Sequence, residues 1–312
     1  MWYQIVIFII LFLLYLHWAE QYKTGEDLEI YEIDYTDNEH LQEVCKSKQP
    51  IVFEFSQVLS KFHFLNTLSL EDLADKVGKM DVYVKDTDDY WDPQGEPDAI
   101  PLTLESSLKL FTTDTHAHYI SEGNEDLIKD TILEKYYDSL HEYIQPSFTL
   151  HKTMDLWFGS KGSATPIRYN TDYSHFLYLS KGKCRVRMTP HKSKKYLHYV
   201  KDYERYEFRS LIHLQNPQAD YKNDLEKIQW LDFDMVQGNM LFIPPYWWYS
   251  LEYLEEGTFL CSFQYNTIMN ILANGHNIAT HLYKKYTTKT KPAKVLKFDE
   301  REEKIEEIAV PI

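Results

Sequence analysis

Hydrophobic positions divide the chain into three textures. Residues 5–16 (IVIFIILFLLYL) are apolar without interruption, and no Asp, Glu, Lys or Arg occurs from Met1 to Trp18. As a helix rising about 1.5 Å per residue, eighteen residues reach roughly 27 Å, close to the hydrocarbon thickness of a thin bilayer. Trp2, Tyr3, His17 and Trp18 flank the run, as interfacial side chains do. This pattern predicts a single-pass transmembrane anchor over residues 1–18, followed by an acidic juxtamembrane segment over 19–40. A cleavable signal peptide would want a basic start and a small-x-small cleavage site, and residues 17–19 (His-Trp-Ala) are a poor match. A buried soluble helix is the third alternative. Lys23 is the lone Lys or Arg between residues 19 and 40, so the membrane side is unspecified.

The second texture mixes helical and strand periods. Spacing and turn signals predict helices over 37–47, 69–78, 102–111 and 125–143, with strands over 50–55 and 80–86 and a loop over 91–101. From about residue 148 short alternating strands dominate: SFTLHKTMDLWFG, SHFLYLSKGKCRVRM, NMLFIPP and TFLCSFQYN. Turns rich in Gly, Pro and Ser separate them, the pattern of an all-β barrel or double-sheet roll over about 148–266. Helical spacing returns in TIMNILANGHNIATHLYKKY, and a charged tail covers 286–312. The predicted class is α+β, mainly β, with one domain over 28–285.

Composition narrows the function. The net charge of −15 argues against a nucleic-acid backbone as partner. Cys45, Cys184 and Cys261 lie far apart without a C-x-x-C, which excludes a disulfide framework or a cysteine-based zinc site. Aromatic residues make up 15% of the chain, with 25 Tyr. Such side chains can line half-wet cavities.

Two segments carry more. One is Gly162-Ser163-Ala164-Thr165-Pro166-Ile167-Arg168-Tyr169-Asn170, followed by an apolar strand and Gly182-Lys183. The other is Gly238-Asn239-Met240-Leu241-Phe242-Ile243-Pro244-Pro245-Tyr246-Trp247-Trp248-Tyr249. Together with IYEIDY, QPIVFEF and LWFG, they resemble the cupin-like JmjC hydroxylases over roughly residues 28–285. The resemblance implies a double-stranded β-helix, a jelly roll, that holds Fe(II) by two His and one carboxylate and binds 2-oxoglutarate. Such a facial set leaves open positions on the metal.

Every ligand position departs from that pattern. The first family His falls on Arg168, the carboxylate on Asn170 and the second His on Tyr249. A guanidinium stays protonated and has no lone pair to offer. Relocated ligation could draw on Asp172 and His175. Asp172 shares strand parity with Arg168, whereas His175 has the opposite parity. The pair His116 and His118 lies well before the barrel and reads as a surface feature. In the cosubstrate pocket that the resemblance implies, Thr165 takes the position whose hydroxyl binds a carboxylate. The family's lysine falls on Cys184. Its neighbour Lys183 points inward after a bulge or faces solvent. Gln264 takes a position on the last strand that could line the pocket. Trp157 and Tyr178 point into the barrel by alternation, with core packing as their default role.

Three functions follow as expectations. The first is a membrane-anchored pseudoenzyme that binds a protein or a small anionic ligand and needs no cofactor. In it Arg168 either meets the anion or is tied internally by Tyr249, Asp172 or backbone carbonyls. The second is an active dioxygenase with unusual ligation, using Fe(II) and 2-oxoglutarate. The third is a structural protein, a possible homodimer through the helix after the barrel.

Overall fold

The computed structural model describes residues 2–59, 69–92, 97–131 and 133–287. Most of the predicted tail therefore lies outside the described residues. In chain order the first strands are β1 (Tyr31–Ile33), β2 (Ile51–Glu54), β3 (Asp81–Asp86), β4 (Ile100–Thr103) and β5 (Tyr119–Ser121). The barrel region contributes β6 (Thr149–Gly159), β7 (Arg168–Tyr169), β8 (Ser174–Lys181), β9 (Lys183–Thr189) and β10 (Tyr199–Asp202). It continues with β11 (Glu207–Ser210), β12 (Leu231–Val236), β13 (Asn239–Ile243), β14 (Trp248–Tyr253) and β15 (Phe259–Thr267).

These strands form two sheets. The larger runs β1-β2-β13-β8-β15-β6-β5-β3-β4 and the smaller β10-β11-β7-β14-β9-β12. Between them lies one buried cluster, which includes Trp157, Leu177, Val186, Met188, Trp247 and Tyr249. A second cluster covers the opposite face of the larger sheet. There Phe176, Tyr178 and Phe263 meet Leu41, Leu73 and Tyr137 from the helices Asn38–Cys45, Leu70–Val77 and Leu133–Ile144. The larger sheet is thus buried on both faces, which is why SHFLYLSK and FLCSFQYNT read as near-continuous apolar runs. A third cluster, with Tyr169, Phe208 and Trp248, backs the smaller sheet.

Local chemistry sets the element ends. Asp37 caps helix 38–45 by accepting from the His40 backbone N–H at 2.9 Å. Ser69 and Asp72 form a reciprocal capping box on helix 70–77. The helix expected over 102–111 begins two residues later. Residues 100–103 extend as β4 along β3, and Thr103 then caps the helix Leu104–Thr113. The helix expected over 125–143 is two, Glu125–Lys129 and Leu133–Ile144. At the break the Thr131 hydroxyl donates to the Leu127 carbonyl at 2.8 Å and accepts from Leu133 N–H at 3.2 Å. The post-barrel helix is likewise divided, into Ile268–Ala273 and Gly275–Thr287. The second part takes in the first two residues of the expected tail.

The N-terminal helix Trp2–Glu20 is long and apolar enough to cross a membrane, and none of its residues is buried against the rest of the chain. It meets the domain at its end. The Tyr22 hydroxyl donates to the Ala273 carbonyl, and its ring stacks on Tyr246 at 6.4 Å.

Candidate functional site

Arg168 lies on β7 between Tyr249 of β14 and Arg209 of β11. All three side chains alternate with Tyr169, Trp248 and Phe208 of the backing cluster, so they face the barrel interior. Arg168 is 6% exposed. Its guanidinium grips Glu122 with both terminal nitrogens, Nη1 to Oε2 at 2.7 Å and Nη2 to Oε1. Nη1 also reaches Glu207 Oε1 at 3.4 Å. The rings of Trp157 and Tyr249 stand 4.8 and 5.6 Å from the guanidinium carbon. Lys85 lies 3.8 Å from Glu122, and Arg209 lies 3.7 Å from Glu207. Three cations therefore enclose two carboxylates. Burial pushes the Glu122 carboxyl up, but Arg168 and Lys85 together outweigh it and hold the carboxyl below its usual range. The same pair keeps Arg168 permanently charged despite burial.

Glu122 is positioned by a tight turn after β5. Gly123 takes a φ of +84°, which favours glycine. Gly123 and Asn124 donate their N–H groups to Asp155 at 2.7 and 2.6 Å, and the Trp157 indole donates to the same carboxyl at 2.6 Å. Burial still pushes Asp155 up to about 6. The Asn124 amide donates to the Leu156 carbonyl at 2.7 Å. One turn thereby ties β5 to β6 and aims Glu122 at Arg168.

Beside this pair lies a neutral polar chain. Asn170 Nδ2 donates to His175 Nδ1 at 3.0 Å, which leaves Nε2 to donate to Ser262 Oγ at 2.9 Å. The His175 ring is 5.9 Å from that of Tyr249 and 5.6 Å from that of Trp157. Burial, with help from Arg168, pushes His175 down to about 3. Tyr249 is pushed up to about 12 by burial, against the opposing pull of Arg168. Arg168 and Tyr249 thus meet across β7 and β14, and Asn170 is linked to them through the His175 ring. Parity along the chain had placed His175 on the other side and Asp172 with Arg168. Between β7 and β8 the chain crosses from the smaller sheet to the larger, so alternation does not carry over. Asp172 instead accepts from Asn266 Nδ2 at 2.7 Å, and burial pushes it up to about 6.

A family model described as a cupin-like domain matches residues 37–271, well over half of the chain. This chain belongs to the cupin-like domain family. HSPB1-associated protein 1 from Homo sapiens, Rattus norvegicus and Bos taurus is 26% identical over 104 residues, 33% of this chain. The match spans 21% of the human protein and 22% of the rat and bovine proteins.

The donors at this cupin's centre do not fit Fe(II). An iron site of this type needs two imidazoles and a carboxylate. Here one position carries a guanidinium, which has no lone pair. A second carries an amide that donates to a histidine, and the third a phenol that holds its proton at neutral pH. Asp172 and His175 belong to no group of three potential ligands among the described residues. Asp86, Asp88 and His118 do form such a group, within 4.8 Å of one another but outside the barrel. The neighbouring His116 is exposed.

The remaining predicted pocket residues disperse. Thr165 accepts at its hydroxyl from Leu251 N–H at 2.9 Å, and its own N–H donates to the Leu251 carbonyl at 2.8 Å. Its hydroxyl is therefore engaged with β14. Lys183 faces outward and pairs with Asp234 at 2.7 Å, while Cys184 is buried in the barrel. Tyr178 is aligned with Cys261, which is aligned with Leu156; all three belong to the helix-side cluster. Tyr178 therefore points away from the barrel, contrary to the alternation argument. Trp157 points inward as expected. Gln264, half-buried, shares the strand face of Ser262. Glu122, Glu207, Lys85, Arg209 and Ser262 escaped sequence reasoning. A buried arginine demands a carboxylate, but nothing in the pattern selects Glu122 from the chain's 48 acidic residues.

Proposed function

We propose that this cupin is a membrane-anchored binding module that has lost iron-dependent oxidation. The observation that carries this reading is the buried fork of Arg168 on Glu122, at the position where the family resemblance calls for the first metal-binding histidine. Planar, two-point pairing of guanidinium and carboxylate is among the strongest hydrogen-bonded arrangements in proteins. To admit a metal, the chain would have to displace a permanent cation and leave Glu122 and Glu207 without their partner. A small anion at Arg168 would likewise have to displace Glu122, so recognition of a partner protein falls to the outer surface.

The test is full-length protein purified without oxygen, then given ferrous ion and 2-oxoglutarate. The expected result is no stoichiometric iron after gel filtration and no succinate above background. One equivalent of iron with succinate release would overturn the reading in favour of a dioxygenase with unusual ligation. The anchor is tested separately. Intact mass of the protein recovered from membranes should include the first twenty residues, and alkaline carbonate should not extract it. A mature chain beginning near Glu20 would identify a signal sequence instead.

A further inference from the structure

The helix Gly275–Thr287 is reversed relative to an ordinary surface helix. It has no buried residue. Its polar side makes the contacts with the domain. Tyr203 donates its hydroxyl to Asn277 Oδ1 at 3.1 Å, and His281 Nδ1 donates to the Tyr203 carbonyl at 2.8 Å. At 3.6 residues per turn, Leu282, Tyr283 and Tyr286 fall roughly opposite Asn277 and His281. They are 45%, 69% and 83% exposed. The preceding helix also exposes apolar side chains, Ile268 and Leu272, 48% and 63% exposed. A helix normally turns its apolar stripe to the core and its polar face to water.

Its position shows what could cover this face. Helix 268–273 is the element on which the N-terminal helix lands, through Tyr22, Ala273 and Tyr246. The exit point of the anchor and the exposed apolar face are therefore neighbours. Tyrosine is enriched where apolar and aqueous phases meet. Lys284 and Lys285 lie in the last turn, in a chain whose net charge is −15. At 3.6 residues per turn both fall toward the side of Asn277 and His281, so the apolar face itself carries no Lys or Arg.

We propose that the outer face of helices 268–273 and 275–287 rests on the lipid surface into which the N-terminal helix is inserted, so that the domain is held in one orientation. This rests on the anchor reading above. The experiment uses the full chain in vesicles of phosphatidylcholine and phosphatidylserine. Single variants Leu272→Cys, Tyr286→Cys, Ile9→Cys and Lys109→Cys carry an environment-sensitive fluorophore, and doxyl-labelled lipids serve as quenchers. Cys45, Cys184 and Cys261 are all buried and stay unlabelled in the folded protein.

The expected result is lipid quenching at positions 272, 286 and 9 and none at 109. Quenching at 9 alone would overturn the docked face and leave the anchor standing. Absence of quenching at 9 would remove the anchor and this inference with it. Disulfide cross-linking through Tyr286→Cys between copies, without quenching at 286, would assign the face to a second copy and overturn the proposal.

Discussion

Arg168 and Lys183 are both paired cations, but their surroundings give the two pairs very different weight. The Arg168 pair is desolvated, so removing one partner strands the other charge. Arg168→Ala is expected to lower stability by about 3–5 kcal/mol, measured by chemical denaturation of the detergent-solubilised protein. Combining Arg168→Met with Glu122→Leu removes both charges and should recover most of the loss. Lys183 is 36% exposed in its pair with Asp234, so Lys183→Ala should change stability by less than about 1 kcal/mol. His175 adds a pH dependence. Its folded pKa of about 3 lies below the ordinary 6.5, so the unfolded chain binds a proton that the native state refuses. This contribution is complete above pH 6.5 and is lost as pH falls toward 3; the loss amounts to about 3 kcal/mol at about pH 4. His141, pushed by burial to about 4, acts with the same sign. Asp155 and Asp172, both raised to about 6, act oppositely, because the native state binds their protons first. A denaturation series from about pH 7 to 4 should show a shallower acid loss in His175→Gln than in the parent; an identical slope would contradict a buried, neutral His175.

At the scale of elements, the crossing from β7 to β8 assembles the site. Two short stretches on different sheets bring Arg168 opposite Tyr249 and His175 against Asn170. The turn between β8 and β9 is equally constrained. Gly182 adopts a φ of +83°, and a Cβ there would stand 2.2 Å from Thr258 Oγ1. Left-handed backbone and overpacking together should make Gly182→Ala cost roughly 2–4 kcal/mol. A thermal unfolding comparison will measure it, and an unchanged midpoint would show that this turn tolerates a side chain. β2, β3, β6, β8, β9, β13 and β15 were legible in the sequence because their apolar runs and turn residues are local signals. β1, β4, β5, β7, β10 and β11 were not, because two to four residues are too few to show a period, and the six-residue β12 and β14 were missed as well. The divided helices were missed for a related reason: a side-chain hydrogen bond such as that of Thr131 interrupts a helix without breaking its apolar spacing.

The whole molecule is a two-sheet cupin with a helical layer on one face and an apolar helix at its N-terminal end. Its interior is an apolar cluster with Arg168 and Glu122 paired inside it, so a chelator is expected to leave the thermal midpoint unchanged. A fall after EDTA treatment would point to a structural metal and would direct attention to Asp86, Asp88 and His118.

From the sequence alone came the cupin-like class, the long apolar N-terminal segment and the presence of Arg168, Asn170 and Tyr249 where the resemblance implies ligands. Each depends on residue identity or on a periodicity confined to one segment. Only the tertiary structure decided that Glu122 neutralises Arg168, that His175 turns inward and Tyr178 outward, and that the last described helix shows its apolar side to the exterior. Those outcomes depend on which strands become neighbours and in what register. Burial then selects a particular carboxylate for a particular cation, because a charge removed from water must be met by an opposite charge at hydrogen-bonding distance.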